Sequence, residues 1–481
     1  MNKINSISKE RFHATLATLL FIFILVQPIF DVLSQLHVKG IIPIGISTYG
    51  KPLFAAALNI ALILVYKKYF WRCAIHYILY LAFSVVHIYL FKGLPSATVV
   101  LLAEIRHMLN LVYLLLCLYD IYILWKEAPQ QDLFVKKLTQ SLLGCFCLYL
   151  VLYLLAVLTG TSGMTYEYAD ATKLGFRGWY HNGQIFGHAL SMCLPVLFTL
   201  LLNNRCKNPW LRLLCKLAIT IPVLVLCLIG TKVAFYIPLI VLVAQIVLEV
   251  YFALKDKQRS HAFNALLCAA CLAACILAYP IMPVRHNIGI NEDVLAEEYS
   301  DSELEEFMAY ERSIYLSEDR IDRPWNEKAV EVLEAKYRSR ELHPSQMRNR
   351  QYYFNSTKFN VAPAQYKFFG IGYLNQMGMT IERDVLGVLF GHGILGFLLI
   401  LLQPLVIWCR SAFWILKKLF KTDLMTLCLF EGLSMFFFIS FYAGYTFLFT
   451  QFSVFLAVIM CLLHHRVDKL KALDANGKLP S

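Results

Sequence analysis

A short polar stretch at residues 175–182 (GFRGWYHN) runs directly into an apolar segment and carries an arginine among hydrogen-bonding groups. Glycines flank Arg177. Because glycine has no side chain, its backbone N–H group can approach an anion closely. An arginine also presents two parallel donors that match the geometry of a phosphate. We therefore predict that Arg177, His181 and Asn182 bind a phosphate group. The alternative is an anchor at the membrane interface, where arginine and aromatic side chains are common.

Two further sets of ionisable residues lie in or beside apolar segments. Lys232 follows Gly-Thr in a stretch that is apolar on both sides, which predicts a hairpin with the lysine at its tip. A cation between two helices is costly unless it is paired, so an anionic ligand is one interpretation and a plain turn is the other. Glu104, Arg106 and His107 lie within the apolar range 97–125. Ionisable groups inside a span are functional candidates, and an internal Glu–Arg pair is the alternative.

Two carboxylates, Glu382 and Asp384, precede the apolar range 386–408, whose glycines predict close packing of a helix. A carboxylate at this position is able to accept a proton from a hydroxyl group. Arg350 lies in a basic, aromatic stretch before them and is a further candidate for anion binding. His392 is predicted to be a core histidine with satisfied hydrogen bonds.

The elements that position these residues follow from the composition, since 59% of the 481 residues are hydrophobic and only 16% are charged. Soluble domains carry about 25% charged residues, so the chain is predicted to be an all-α polytopic membrane protein. Apolar runs of about 20 residues predict about twelve transmembrane helices. Their ranges are 13–33, 52–66, 73–91, 97–125, 138–159, 185–203, 212–230, 232–253, 262–282, 386–408, 424–442 and 446–464.

Every alternate loop between these ranges is rich in lysine and arginine. Because basic loops stay on the cytoplasmic side, both termini are predicted to be cytoplasmic in a multi-pass protein of the cell membrane. The net charge of +12 is mostly this topology signal, and no tract indicates a nucleic-acid partner. The predicted divisions are transmembrane helices 1–9 in residues 1–283, an extracytoplasmic loop in 284–383, transmembrane helices 10–12 in 384–465 and a cytoplasmic tail in 466–481.

The loop at 284–383 is predicted to contain helical segments, with 301–341 helical and a break at Pro324. Gly370 and Gly372 near its end predict a tight turn. The fourteen cysteines lie in the apolar ranges or at their cytoplasmic ends, so we expect neither disulfides nor a metal site. No pattern in the chain calls for a cofactor.

Four stretches, in this order, resemble motifs of the O-antigen polymerase and ligase superfamily, in the branch of Gram-positive capsule and exopolysaccharide polymerases. They are FRGWYHNGQIFGHALSMCLPV, LIGTKVAFY, NRQYYFN with KFFGIGYLNQ, and the span that begins at Glu382 and contains GILG. Lys232 stands where the family usually has arginine. Glu382 stands at the spacing where the ligases have histidine, and is closer to the Glu-x-Asp pattern of the Gram-positive branch.

The resemblance implies a membrane glycosyltransferase that polymerises or ligates oligosaccharide repeat units on the outer face of the cytoplasmic membrane. Its donor would be a polyprenyl-diphosphate-linked oligosaccharide and its acceptor a saccharide chain. Cations would stabilise the departing diphosphate, and a carboxylate would accept the proton of the acceptor hydroxyl or orient it. The implied residues are Arg177, Glu382 and Asp384 as catalytic groups, and Lys232, Arg350, His181, Asn182 and Arg106 as substrate-binding groups. Membrane lipid and other polysaccharide-export proteins are further candidate partners.

A flippase of lipid-linked saccharides is the main alternative, since it would share many spans and intramembrane charges. The sequence disfavours it, because the chain has no repeated halves and transporters seldom need so long an external loop. A non-catalytic assembly or sensor protein that docks through the acidic part of the loop is a third class. If the cations and Glu382 meet in one outward-open groove, the enzyme is favoured. If the charged groups lie near the middle of the membrane, the transporter is favoured.

Overall fold

The computed structural model describes residues 2–43, 45–92, 98–167, 172–316, 322–372, 381–444, 446 and 448–476. These residues are almost entirely helical, with one small antiparallel sheet. The helices are α1 Asn2–Leu25, α2 Gln27–Val38, α3 Ile46–Val65, α4 Phe70–Lys92, α5 Thr98–Glu127, α6 Gln131–Leu158, α7 Gly183–Leu202, α8 Pro209–Leu217, α9 Thr220–Ile229, α10 Lys232–Asp256, α11 Arg259–Ala278, α12 Pro283–Ala296, α13 Asp301–Tyr315, α14 Arg323–Arg338, α15 Met347–Val361, α16 Ala364–Phe369, α17 Asp384–Lys417, α18 Leu424–Tyr442 and α19 Thr450–Ala475. The strands are β1 Gly163–Met164 and β2 Phe176–Gly178.

Among the described residues, ten helices are long and apolar enough to cross a membrane, or eleven if one bent pair counts as a span. The bent pair is α1 and α2, which meet at an angle of 52° where Pro28 begins the second helix. The apolar range 52–66 lies almost entirely in α3, whose part Tyr49–Val65 is a shorter apolar helix and is not among the ten. The predicted class, an all-α polytopic membrane protein, is therefore confirmed, but the predicted count of twelve spans is not.

Helices α7 and α19 form the centre of the bundle and are buried on nearly all sides. A helix that is apolar around its whole circumference lies either in the interior of a protein or against lipid, and in α7 and α19 the surroundings are mostly other helices. Helix α7 begins where Asn182 caps it, since the Asn182 Oδ1 accepts from the backbone N–H groups of Gln184 (2.8 Å) and Ile185 (3.2 Å). The cap fixes the polar turn at 175–182 to the end of the most enclosed helix.

The polar segment, residues 284–383, folds into helices with an apolar core of its own. As predicted, the described residues of 301–341 are mostly helical: α13 ends at Tyr315 and α14 begins at Arg323. Pro324 lies in the first turn of α14, where its missing N–H costs nothing. The core residues of the segment include Met308, Tyr315, Leu333, Tyr337 and Phe354. A second cluster, which includes Trp325, Tyr366, Ile371 and Phe390, joins the segment to α17.

Helix α17 is interrupted at Gly393, where φ is 69° and ψ is −175°. The interruption leaves carbonyl groups that the end of the polar segment uses: the Ile371 N–H donates to Phe390 O (3.0 Å) and the Gly372 N–H to Gly391 O (2.9 Å). Gly370 lies so close that a Cβ there would be 2.0 Å from Gly391 O. The glycines of GIG and GILG thus form one backbone-to-backbone contact, which we call the glycine junction.

Replacing Gly393 by alanine is expected to destabilise the protein strongly. A Cβ at this position would lie 2.5 Å from Gly370 N and from Phe368 O, and a positive φ costs a residue with a side chain about 1–3 kcal/mol. Thermal unfolding of the purified protein in detergent measures the effect. The matched control is Gly289→Ala in α12, where nothing lies within 4 Å of the added Cβ. Equal melting temperatures for the two variants would contradict the steric account.

Candidate active site

Three separate parts of the chain meet on one side of the bundle. Asn287 of α12 donates to Leu174 O (2.6 Å) and to Gly230 O (2.8 Å), and it accepts from the Leu174 N–H (2.7 Å). It therefore links the polar segment both to the approach to β2 and to the tip of the α9–α10 hairpin. We call this side, which carries residues 174–182, 229–232 and 284–383, the loop face.

Arg177 lies on β2 and is buried, with only 2% of its surface exposed. Its Nη2 bonds to Glu167 Oε2 at 2.5 Å, and its Nη1 donates to His181 O at 3.2 Å. Neighbouring glycines make room for the side chain: a Cβ on Gly163 would lie 2.5 Å from Arg177 Nε, and one on Gly183 would lie 2.9 Å from Arg177 Cβ. Glycine in this region therefore serves the packing of Arg177 itself.

Glu167 was not singled out from the sequence. Its carboxylate is 44% exposed although its partner Arg177 is buried. An exposed acid on a buried arginine occupies the position that an anionic ligand would take, because a carboxylate and a phosphate offer the guanidinium similar oxygen pairs. The only signal in the sequence was the presence of a glutamate ten residues before the arginine. The structure places both residues in one glycine-containing hairpin.

A cavity of about 390 Å³ opens beside this turn and brings together three of the predicted substrate-binding residues, Arg106, His181 and Asn182. Its walls come from α2, α3, α5, the start of α7 and the start of α19. Further polar lining residues, which sequence reasoning missed, are Ser34, His37, Asn110, Thr450 and Gln451. We call it the α5–α7 cavity. A single cation among hydrogen-bonding groups suits a ligand that is both anionic and polar.

His181 connects the cavity to Arg177. Its backbone carbonyl accepts from the guanidinium, and its ring Nδ1 lies 3.4 Å from Gln35 Oε1. Burial, with the positive charge of Arg177 nearby, lowers the pKa of His181 below its ordinary value. The ring is therefore neutral at pH 7 and presents one donor and one acceptor nitrogen.

Behind the cavity, α2 and α3 are joined by a buried ion pair in which Lys51 Nζ lies 2.7 Å from Asp31 Oδ1. The Tyr149 hydroxyl donates to the other carboxylate oxygen of Asp31. Because a buried charge pair is stable only with such extra hydrogen bonds, this arrangement holds both cavity walls in one position.

The two predicted carboxylates have different environments. Glu382 is partly exposed, and its Oε2 accepts from Arg348 Nε at 2.8 Å. Asp384 is buried, and its Oδ2 accepts from both the N–H and the hydroxyl of Thr446, each at 2.6 Å. Asp384 thus fixes the connection between α18 and α19, whereas Glu382 presents a carboxylate to solvent.

That connection also links the carboxylates to the cavity. A Cβ on Gly444 would lie almost on Glu382 O, so the two backbones are in direct contact. A few residues further on, Phe449 and Gln451 line the α5–α7 cavity. One short piece of chain therefore contacts Glu382 at its start and the cavity at its end.

The other two predicted cations lie elsewhere on the loop face. Lys232 is exposed at the first position of α10, behind the cap that Thr231 forms with the Ala234 N–H. Arg350 lies in the interior of the polar segment, with its Nε 3.5 Å from Glu311 Oε1 and its guanidinium over the Phe307 ring. Burial raises the pKa of Glu311 while Arg350 opposes the shift. In the described residues Arg350 is thus part of the packing of the polar segment.

The bundle of membrane-spanning helices defines a multi-pass membrane protein. Its candidate site is a cationic, hydrogen-bonding cavity beside the polar turn that begins α7. The family model described as "O-antigen ligase like membrane protein" matches residues 13–469, and the chain belongs to this family. The resemblance inferred from the four motifs is confirmed. No curated protein matched the chain.

Family membership associates the chain with polysaccharide assembly, with a glycosyltransferase-type enzyme and with lipid-linked oligosaccharide in the membrane. The two glycine motifs that carried part of the resemblance meet at the glycine junction, so their role in this chain is to hold the polar segment against α17.

Proposed function

We propose that the protein polymerises oligosaccharide repeat units, taking each from a polyprenyl-diphosphate donor and joining it to a saccharide acceptor. The observation that supports this most is the α5–α7 cavity, in which Arg106, His181 and Asn182 meet beside the buried Arg177. A diphosphate needs several fixed donors, and the sugars next to it need neutral hydrogen-bonding groups. The cavity supplies both kinds of group within one volume.

In the proposed reaction an acceptor hydroxyl attacks the anomeric carbon of the donor. A new C–O bond forms, the bond from the anomeric carbon to the phosphate oxygen breaks, and the electron pair leaves with the diphosphate. Donors fixed in advance around the leaving oxygens stabilise the charge that develops there. Arg177 and Arg106 are the cations assigned to this task, and Lys232 is assigned to the approach of the lipid diphosphate.

The proton of the acceptor hydroxyl goes to a carboxylate in this proposal. Glu382 is the better candidate, because it is partly exposed and its Arg348 partner is also accessible. Asp384 is buried and already accepts two hydrogen bonds from Thr446. We therefore assign Glu382 as the base and Asp384 as a positioning residue for the α18–α19 connection.

We also propose that the loop face is the outer face, with both termini in the cytoplasm, because the basic loops alternate along the chain. A cysteine at Ala309, exposed on α13, should react with a membrane-impermeant maleimide on intact cells. A cysteine at Asp256, exposed at the end of α10, should react only after permeabilisation. Both are introduced after replacement of the exposed Cys147 and Cys409. The reverse labelling pattern would overturn the assigned orientation.

Deletion of the gene followed by sizing of the surface polysaccharide tests the activity. A polymerase should leave single repeat units on the surface, because export continues while joining stops. Full-length polymer that fails to attach to its final acceptor would indicate a ligase instead. Repeat units that accumulate on their lipid inside the cell would indicate a flippase, the alternative function.

A further inference from the structure

Three helices contribute to a buried cluster that lies apart from the α5–α7 cavity. His87 comes from α4, Glu104 and His107 from α5, and His392 from α17. The His87 Nε2 is 2.9 Å and the His392 Nδ1 is 3.9 Å from the same oxygen, Glu104 Oε1. The side chains of His87, Glu104 and His392 are fully buried. We call these four residues the histidine cluster.

The geometry points to a metal site: we propose that His87, Glu104 and His392 bind a divalent transition-metal ion of the zinc type. One ligand atom from each of the three lies within 4.8 Å of the others. Zinc bonds of about 2.0–2.2 Å place tetrahedral ligands roughly 3.4 Å apart, so the three side chains need only small shifts. Two imidazoles with one carboxylate are a donor set for zinc and its neighbours, whereas magnesium and calcium prefer oxygen ligands.

The surroundings of His87 match those of a metal-binding histidine. Its Nδ1 bonds to the backbone carbonyl of Phe369 at 2.6 Å. A carbonyl at this nitrogen fixes a proton there, so Nε2, which is hydrogen-bonded to Glu104 Oε1 in the structure, is the nitrogen that would bind an ion. His107 stacks on His392 with ring centroids 5.2 Å apart. The fourth position would be left to a water molecule.

Charge supports the same conclusion. Glu104 lies inside the span Leu101–Glu127, where a carboxylate is costly unless a positive charge neutralises it. The ionisable groups of the cluster that face it are the imidazoles of His87, His107 and His392. A divalent cation would neutralise the carboxylate and use the lone pairs of the imidazole nitrogens as further ligands.

The position of the cluster shows what the ion would do. His392 immediately precedes Gly393, at the interruption of α17, and the Phe369 carbonyl bonded to His87 immediately precedes Gly370. A metal ion here would fasten α4, α5 and α17 together beside the glycine junction. Its role is therefore structural, and it stands independently of the proposed reaction.

The test uses the full-length protein in detergent, purified on a tag without histidine, stripped with a chelator and dialysed against zinc or magnesium. Elemental analysis should find about one zinc per chain and no magnesium. Zinc should also raise the melting temperature of the wild type. His392→Gln and Glu104→Gln should lose the zinc, while His343→Gln, which removes a partly exposed histidine of the polar segment, should keep it.

Absence of stoichiometric zinc in the folded wild type would overturn the proposal, as would unchanged zinc in folded His392→Gln. If the variants fail to fold, X-ray absorption spectroscopy of the zinc-loaded wild type identifies the elements that bind the zinc. Nitrogen and oxygen ligands support the histidine cluster. Sulfur ligands would assign the ion to cysteines and overturn the assignment made here.

Discussion

Arg177→Ala should abolish polymer formation while the protein still accumulates in the membrane at a normal level. Removal of a single fixed donor from a site of developing negative charge typically costs about 10²–10³-fold in rate. Arg177 is buried at the turn that adjoins the α5–α7 cavity, so no neighbouring cation can move into its place without rearranging that turn. Arg177→Lys should retain little activity, because lysine lacks the two parallel donors. Turnover of lipid-linked donor by purified protein is the measurement.

The partner of Arg177 separates a ligand-binding role from a structural one. If the exposed Glu167 carboxylate only occupies the phosphate position, Glu167→Gln should leave turnover within a few-fold of wild type. If the pair instead holds the β1–β2 hairpin together, Glu167→Gln and Arg177→Ala should lower the melting temperature alike. Arg285→Ala is the matched control, since it removes an arginine from an exposed ion pair with Glu292 on α12. Full activity of Arg177→Lys would reduce Arg177 to a point charge or an anchor.

Glu382→Gln should lose roughly 10²–10⁴ in turnover while donor binding persists, as expected when a general base is removed and its geometry is kept. The Arg348 partner provides the discriminating control. Arg348→Gln leaves the Glu382 carboxylate in place, so it should retain most of the activity if that carboxylate is the base. Equal losses in Glu382→Gln and Arg348→Gln would mean that the ion pair, which positions the polar segment, is what matters.

Asp384→Asn should behave differently and mainly lower stability. A buried hydrogen bond to a charged group contributes about 1.5–3 kcal/mol, and Asp384 accepts two such bonds from Thr446. Thr446→Val removes one of the two and should produce part of the same fall in melting temperature. Near-normal turnover in both carboxylate variants would exclude acid–base catalysis by either residue and leave catalysis to positioning and the cations.

The sequence alone was sufficient to predict the class of the protein and most of its elements. The apolar ranges predicted the helices, because a membrane-spanning helix must bury about 20 apolar residues whatever surrounds it. Pro324 predicted the start of α14 for a local reason, since proline is tolerated in a first helical turn. The four motifs were sufficient to identify the family, because they occur in the expected order along the chain.

The number of spans was less predictable, because hydrophobicity does not record bends. The range 13–33 is mostly apolar and was taken as one span, yet it bends by 52° at the start of α2. The bend lies next to Pro28, which is in the first turn of α2 and which a scan for apolar residues does not take into account.

Only the tertiary structure decided which side chains meet. Arg350 was grouped with Arg177 by charge, but the packing of the polar segment pairs it with Glu311. Glu104, Arg106 and His107 were predicted as one group of candidates. In the structure Arg106 lines the α5–α7 cavity, whereas Glu104 and His107 belong to the histidine cluster. Residues two positions apart on a helix face different directions, and each one's partners come from helices far away in the chain.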